Sequence, residues 1–182
     1  GEGNAGMSEL TFRAAGVAPA RDLPEHLQAS SLLAKTDWHQ DKGVHLPEAD
    51  DTVMLTVWLP VTDATESNGC LCVIPGSHRD GLVTHCLRPG ARIPDALLVG
   101  ESIPVPVRRG GVLLFHHLTK HASLTNVSDG IRWSFDLRYH PIGQATGRPA
   151  FPGFVARSRS NPSSAVTDWR EWERLWLATR SH

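Results

Sequence analysis

The sequence has few cysteines, and their number and spacing exclude one class of protein. Only three of its 182 residues are cysteines, namely Cys70, Cys72 and Cys86. An odd count without a regular spacing argues against a disulfide-stabilised secreted fold and predicts a reducing compartment, which we take to be the cytoplasm. We expect Cys70 and Cys72 to be small buried strand residues rather than half of a zinc site, because no second pair comes after them.

The sequence also has almost no net charge and no long apolar run. The formal net charge is −1, which offers no electrostatic basis for binding nucleic acid or an anionic membrane surface, so we expect neither partner. No apolar run approaches the ~20 residues that a membrane-spanning helix needs. The length is sufficient for one domain with a sizeable core, and we treat residues 1–182 as that domain. Nothing in the sequence predicts the oligomeric state.

Short β-prone segments separated by glycine and proline turns make up most of the chain. Residues 52–61 are strongly β-prone, and residues 103–107 carry two prolines, which suits the edge of a sheet. Only the end of the chain, at about residues 166–180, has helical spacing, with its tryptophans on one stripe. The pattern predicts a mainly β protein, and a jelly roll fits because its open mouth takes metal ligands from several strands.

An H-x-D pair, His39 and Asp41, is the first candidate for chemistry. On a strand, residues i and i+2 point to the same side, so we expect these two side chains to project together. Gln40 then points away or lines the edge of the site. One imidazole and one carboxylate suit a cation such as Fe(II), but the pair needs a third ligand from elsewhere in the chain.

Among ten histidines, His121 is favoured as the third ligand by the residues on its C-terminal side. Arg132 comes eleven residues later, and Ser134 lies on the same face of a strand that alternates cleanly through residue 139. A guanidinium fork binds a carboxylate bidentately, and a nearby hydroxyl adds a hydrogen bond. The order of these residues predicts a 2-His-1-carboxylate metal site beside an arginine that binds a dicarboxylate cosubstrate. The remaining histidines are expected to be exposed or hydrogen-bonded.

Several segments in the same order resemble one known family. They are WHQD at 38–41, the strand with Trp58, NGCLCVIPGSH at 68–78, RRGGVLLFHHLTKHAS at 108–123 and IRWSFDLRY at 131–139. The chain resembles the phytanoyl-CoA dioxygenase family of Fe(II)/2-oxoglutarate oxygenases over roughly residues 31–142.

The resemblance implies a double-stranded β-helix, the cupin-like jelly roll, with a C-terminal helix. It implies that His39, Asp41 and His121 are the catalytic ligands of Fe(II). It further implies that 2-oxoglutarate chelates the iron through its keto acid end and that O2 is the second cosubstrate. Arg132 would then bind the far carboxylate of 2-oxoglutarate, with the cosubstrate pocket also lined by Ser134, Trp58 and Gln40. The expected outcome is hydroxylation of a small-molecule substrate, with release of succinate and CO2.

The resemblance also suggests how the domain is organised. We expect a core at residues 31–142, a segment at 143–160 that covers the mouth of the barrel, and the C-terminal helix. Only 38 residues precede His39, fewer than the family usually carries, so part of the N-terminal support is expected to be missing.

Two other interpretations of the function stay open. One is a metal-binding jelly roll of other chemistry, such as a cupin-like isomerase or a dioxygenase that does not use 2-oxoglutarate. The other is a non-catalytic relative.

Overall fold

The computed structural model describes residues 7–25, 35–86, 91–148 and 151–179, with side chains from Gly16 onwards. The start of the expected core, at 31–34, and the expected end of the helix, at 180, lie outside the described residues. Within these described ranges, seven antiparallel strands form two sheets. The strands are β1 (Met7–Val17), β2 (Leu55–Pro60), β3 (Leu71–Val73), β4 (Ile103–Val105), β5 (Leu113–His116), β6 (His121–Ser123) and β7 (Arg132–Pro141).

The larger sheet has the strand order β1-β7-β2-β5, and the smaller sheet has the order β4-β3-β6. β4 lies at an edge, which suits its Pro104, because proline has no N–H to donate to a second neighbouring strand. At the other edge, the segment before Gln40 runs along β6. Ser123 N donates to Thr36 O at 3.0 Å, and His39 and His121 exchange two backbone hydrogen bonds of 3.0 Å. This segment therefore extends the smaller sheet.

Apolar side chains from both sheets pack into one core cluster. Trp58 of β2 lies in it with Ala64, Cys70 and Leu71, and partly buried Val107, Leu113, Phe115 and Leu124 pack against it. All three cysteines are free; Cys70 and Cys72 are buried and Cys86 is exposed. The jelly-roll expectation and the expectation that Cys70 and Cys72 are buried are both consistent with this packing of two antiparallel sheets.

The inward face of β7 is polar. Arg132, Ser134 and Arg138 are between 1% and 8% exposed, whereas Trp133 on the opposite face is 46% exposed. A strand that turns charged groups inward and aromatic groups outward reverses the usual pattern of a core strand. Buried charges need partners or ligands, so this face marks where a site lies.

The C-terminal helix, α1, covers Trp169–Thr179. Asp168 lies just before it and accepts a 3.0 Å hydrogen bond from Arg170 N. Trp176 packs edge-on against Phe151, with ring centroids 5.6 Å apart, whereas Trp169 is 61% exposed. In the described part of the chain, no helix is long and apolar enough to cross a membrane.

Candidate metal and cosubstrate site

His39 and His121 are brought together by backbone pairing. They face each other across the bridge between the segment before Gln40 and β6, and their ring centroids are 4.2 Å apart. Asp41 comes next, in the first position of a 3-10 turn, Asp41–Val44. Gln40 between them has extended backbone angles, so the carboxylate returns to the side of the imidazoles as an i, i+2 pair does. One ligand atom from each of the three lies within 4.8 Å of the others.

The two histidines present the same ring nitrogen to the site. His39 Nδ1 donates to Asp37 O at 2.8 Å, and His121 Nδ1 donates to Thr119 O at 2.9 Å. A carbonyl oxygen only accepts, so each Nδ1 carries the hydrogen and each Nε2 keeps its lone pair. His39 Nε2 lies 3.9 Å from Asp41 Oδ1. Both imidazoles are therefore oriented as metal ligands by backbone carbonyls.

Asp41 is fully buried and accepts hydrogen bonds at both oxygens. Thr56 Oγ1 donates to Oδ2, and Arg138 Nη2 forms an ion pair with Oδ1. Burial by itself would raise the pKa of Asp41, but the charge of Arg138 and the nearby imidazoles hold it below the ordinary value. Asp41 is therefore an ionised carboxylate at neutral pH.

Burial also keeps the imidazoles neutral. It lowers the pKa of His39 to about 3, with a further contribution from His121, and it lowers the pKa of His121. Metal ligation requires neutral imidazole and ionised carboxylate, and both are already present at pH 7. Two Nε2 lone pairs and one carboxylate oxygen fit a divalent first-row metal such as Fe(II), held on one face.

Arg132 is fixed in the site without a carboxylate partner. Its Nε donates to Gly69 O at 3.1 Å, its Nη1 donates to Ser134 Oγ at 2.7 Å, and its Cζ lies 5.3 Å from the Trp58 ring centroid. Burial lowers its pKa to about 10, so it remains charged. Among the residues that the structure describes, no carboxylate forms an ion pair with it. A buried guanidinium of this kind is suited to an anionic ligand.

Comparison with known proteins identifies the family. The family model described as "Phytanoyl-CoA dioxygenase (PhyH)" matches residues 26–134, which is more than half of the chain. The chain belongs to the phytanoyl-CoA dioxygenase family.

Curated relatives in this family are longer than the chain. The zebrafish (Danio rerio) "Phytanoyl-CoA dioxygenase domain-containing protein 1" is 35% identical over 107 residues, covering 50% of this chain and 37% of that protein. The "1-deoxypentalenic acid 11-beta-hydroxylase" of Streptomyces arenae is 30% identical, covering 88% of this chain and 63% of that protein. The chain therefore spans less than two thirds of either relative.

Solved structures support the fold. The crystal structure of EvdO2 from Micromonospora carbonacea var. aurantiaca, complexed with 2-oxoglutarate, superposes with a TM-score of 0.59 at 23% identity. The superposition covers 76% of this chain and 55% of the EvdO2 chain. This agreement supports the double-stranded β-helix fold for the two antiparallel sheets.

Gln40 and Trp58, both expected to line the cosubstrate pocket, have different surroundings. Trp58 is buried beside the Arg132 guanidinium. Gln40 is fully buried, and its amide donates to Gly81 O and Leu118 O and accepts from Val83 N, at 2.7 to 2.9 Å. These bonds connect Gln40 to residues 81–83 and to Leu118. The contacts of Gln40 and Trp58 with the cosubstrate stay predictions.

The sequence patterns did not identify three further residues in and around the site. Thr56 and Arg138 contact Asp41, and Ser123 Oγ accepts a 2.7 Å hydrogen bond from Thr36 N beside His121. For Arg138 the sequence did contain a signal, because the alternation of β7 places it on the same face as Arg132. Thr56 and Ser123 are ordinary strand residues in sequence and carry no comparable signal.

Proposed function

We propose that this chain is the catalytic domain of an Fe(II)- and 2-oxoglutarate-dependent oxygenase that hydroxylates a small-molecule metabolite. The observation that carries the proposal is the cluster of three metal-binding donors, His39, Asp41 and His121, whose ligand atoms lie within 4.8 Å of one another. The buried Arg132 guanidinium on the inward face of β7 adds a group suited to the carboxylate of a cosubstrate. Membership of the phytanoyl-CoA dioxygenase family supports the proposal, as does the relative in Streptomyces arenae that is named as a hydroxylase.

The residues have distinct roles in this proposal. His39, Asp41 and His121 hold iron on one face and leave the opposite positions open. Arg132 binds the far carboxylate of 2-oxoglutarate, Ser134 keeps the guanidinium in place, and Trp58 covers it from water. Iron, with O2 and 2-oxoglutarate, supplies the oxidation that hydroxylates a substrate C–H bond while 2-oxoglutarate is converted to succinate and CO2.

The segment 143–160 is proposed to cover the mouth of this site. Its first part is fastened to residues close to Asp41 in sequence: Leu46 N donates to Gly147 O at 2.9 Å, and Thr52 Oγ1 donates to Ala145 O at 2.8 Å. A cover held by its backbone restricts water at the reacting centre.

The test is an anaerobic titration of 2-oxoglutarate into the Fe(II)-loaded protein, monitored by the visible metal-to-ligand charge-transfer band of the chelate. A saturable band is expected. It should be absent in Asp41→Ala, which removes a metal ligand. In Arg132→Met it should need at least ~10-fold more 2-oxoglutarate, because a charge-assisted bidentate contact is lost.

Arg108→Met is the matched control for Arg132→Met, because Arg108 is exposed, lies outside the segment proposed to cover the site and carries the same substitution. Its titration should coincide with that of the wild type. Iron binding without a band in the wild-type protein would overturn the 2-oxoglutarate assignment and favour a jelly roll of other metal chemistry. Failure to bind iron would identify a non-catalytic relative.

A further inference from the structure

Arg138 is a second buried arginine that neither the metal nor 2-oxoglutarate accounts for. It lies on the polar face of β7 with Arg132 and is 8% exposed. Its Nη1 lies 3.1 Å from Asp136 Oδ2, and its Nη2 pairs with Asp41 Oδ1. Its Nε is buried and has no hydrogen-bond partner among the described residues. A buried donor without a partner is costly, so this guanidinium has capacity for a ligand.

The oxygen that Arg138 holds is the one that faces the histidines. Asp41 Oδ1 lies 3.9 Å from His39 Nε2, whereas Oδ2 is engaged by the Thr56 hydroxyl. A metal ion held by His39 and Asp41 would approach this oxygen. Its positive charge would then compete with the Arg138 guanidinium for Oδ1.

We propose that Arg138, released from Asp41 when the metal binds, is the specificity-determining residue that holds a carboxylate group of the substrate. The inference rests on the proposed function and names the substrate class for the same site. Asp136 still anchors Nη1, so the guanidinium stays oriented while Nε and Nη2 are free to form a fork. Two parallel N–H donors match a planar carboxylate.

The surroundings of Arg138 favour an anion. His45 lies where the charges of Arg148, Arg138 and Asp41 all act on it, and its Nε2 is buried without a hydrogen-bond partner among the described residues. The segment carrying Arg148 is held against His45, since a Cβ on Gly147 would lie 2.9 Å from His45 Cβ. The charge of a second cation, Arg148, therefore acts on the same region as that of Arg138, which favours a ligand with a negative group.

The first test measures metal affinity without turnover. Co(II) is titrated into metal-free wild type, Arg138→Met and the exposed control Arg108→Met, and the d–d absorption is recorded. Arg138→Met should bind Co(II) about tenfold more tightly, because the ion pair no longer competes for Oδ1. Arg108→Met should match the wild type. Equal or weaker binding by Arg138→Met would overturn the competition on which the proposal depends.

The second test identifies the substrate group. Matched sets of a carboxylic acid, its primary amide and the corresponding phosphate monoester, on aliphatic and aromatic skeletons, are assayed for stimulation of succinate formation from 2-oxoglutarate. Acids should stimulate and their amides should be at least ~100-fold poorer in kcat/KM, because an amide leaves the buried guanidinium without an anion. Arg138→Met should lose the preference for acids, and Arg138→Lys should retain part of it, since it keeps the charge without the fork.

The outcomes separate this inference from the proposed function. The 2-oxoglutarate charge-transfer band in wild type reports the proposed function, and its absence overturns that function. If the band forms but amides or phosphate monoesters stimulate as well as acids, or no acid stimulates, the role of Arg138 is overturned alone. A large rise in the Kd for 2-oxoglutarate in folded Arg138→Met would assign Arg138 to the cosubstrate and would also overturn the inference.

Discussion

Thr56 and Arg138 bind different oxygens of the Asp41 carboxylate. Both residues lie in the larger sheet, in paired positions of β2 and β7, and Asp41 reaches them from the loop after His39. Thr56 binds Oδ2, away from the histidines, and so orients the carboxylate without occupying its metal-facing oxygen. Arg138 binds the metal-facing oxygen. Substituting the two residues should therefore change metal affinity in opposite directions.

Thr56→Val should weaken metal binding. Valine keeps the shape of the side chain but removes the hydroxyl, so Asp41 loses the hydrogen bond that orients it. Outer hydrogen bonds of this kind contribute about 10- to 100-fold to metal affinity, and we expect a rise of at least ~10-fold in the Kd for Co(II). Thr84→Val, at an exposed position, is the matched control. An unchanged Kd in folded Thr56→Val would show that Asp41 is oriented without this bond.

At the scale of elements, the turn before β3 positions the arginine of β7. The turn is closed by Asn68, whose Oδ1 accepts from Thr65 N and whose Nδ2 donates to Asp63 O, both at 2.7 Å. Gly69 comes next with a φ of +86°, a conformation that glycine adopts without strain, and its carbonyl accepts the Arg132 Nε hydrogen bond. The turn thus fixes both the start of β3 and the candidate cosubstrate arginine.

Gly69→Ala should damage both stability and 2-oxoglutarate binding. A Cβ at this position would lie 2.7 Å from Leu124 O, and the positive φ adds strain of about 1–3 kcal/mol. The shifted carbonyl would no longer hold Arg132, so the Kd for 2-oxoglutarate should rise. Urea unfolding and the charge-transfer titration measure the two effects. Gly130→Ala, where a Cβ meets nothing within 4 Å, should change neither; equal effects in the two variants would contradict this account.

At the scale of the whole molecule, burial holds several histidines neutral. Burial lowers the pKa of His39 to about 3 and those of His45 and His117 to about 4. The charge of Arg148 lowers the pKa of His45 further, and the neighbouring His116 lowers the pKa of His117 further. In the unfolded chain these imidazoles titrate near 6.5. Folding therefore releases protons at mildly acidic pH.

The metal-free protein should lose stability as the pH falls. Between about pH 6.5 and 4 the unfolded chain binds more protons than the folded chain, so the free energy of unfolding is fully retained above about pH 6.5 and declines below it. The urea midpoint, measured in EDTA from pH 7.5 to 4.5, should be unchanged down to about pH 6.5 and decrease below it. His117→Gln, which removes one of these groups, should have a shallower decline. A midpoint independent of pH over this range would refute the expectation.

The sequence alone predicted the family, the fold class and the three residues, His39, Asp41 and His121, whose ligand atoms the structure brings together. His39, Asp41 and His121 could be recognised because an H-x-D pair projects to one side of an extended chain, and Arg132 and Ser134 because alternation along a strand is set by the backbone. These are local properties, determined by the covalent geometry of a few residues.

Tertiary structure decided which of these groups meet and which face is buried. The alternation of β7 places Arg132 and Arg138 together, yet only the packing of the two sheets turns that face inward and leaves Trp133 outside. Asp41 and Arg138 are 97 residues apart, and the loops that Gln40 ties lie 41 and 78 residues away. Contacts between such distant segments depend on the arrangement of whole strands, which no short pattern encodes, and for that reason the contacts of Gln40, Thr56 and Arg138 appeared only in the folded chain.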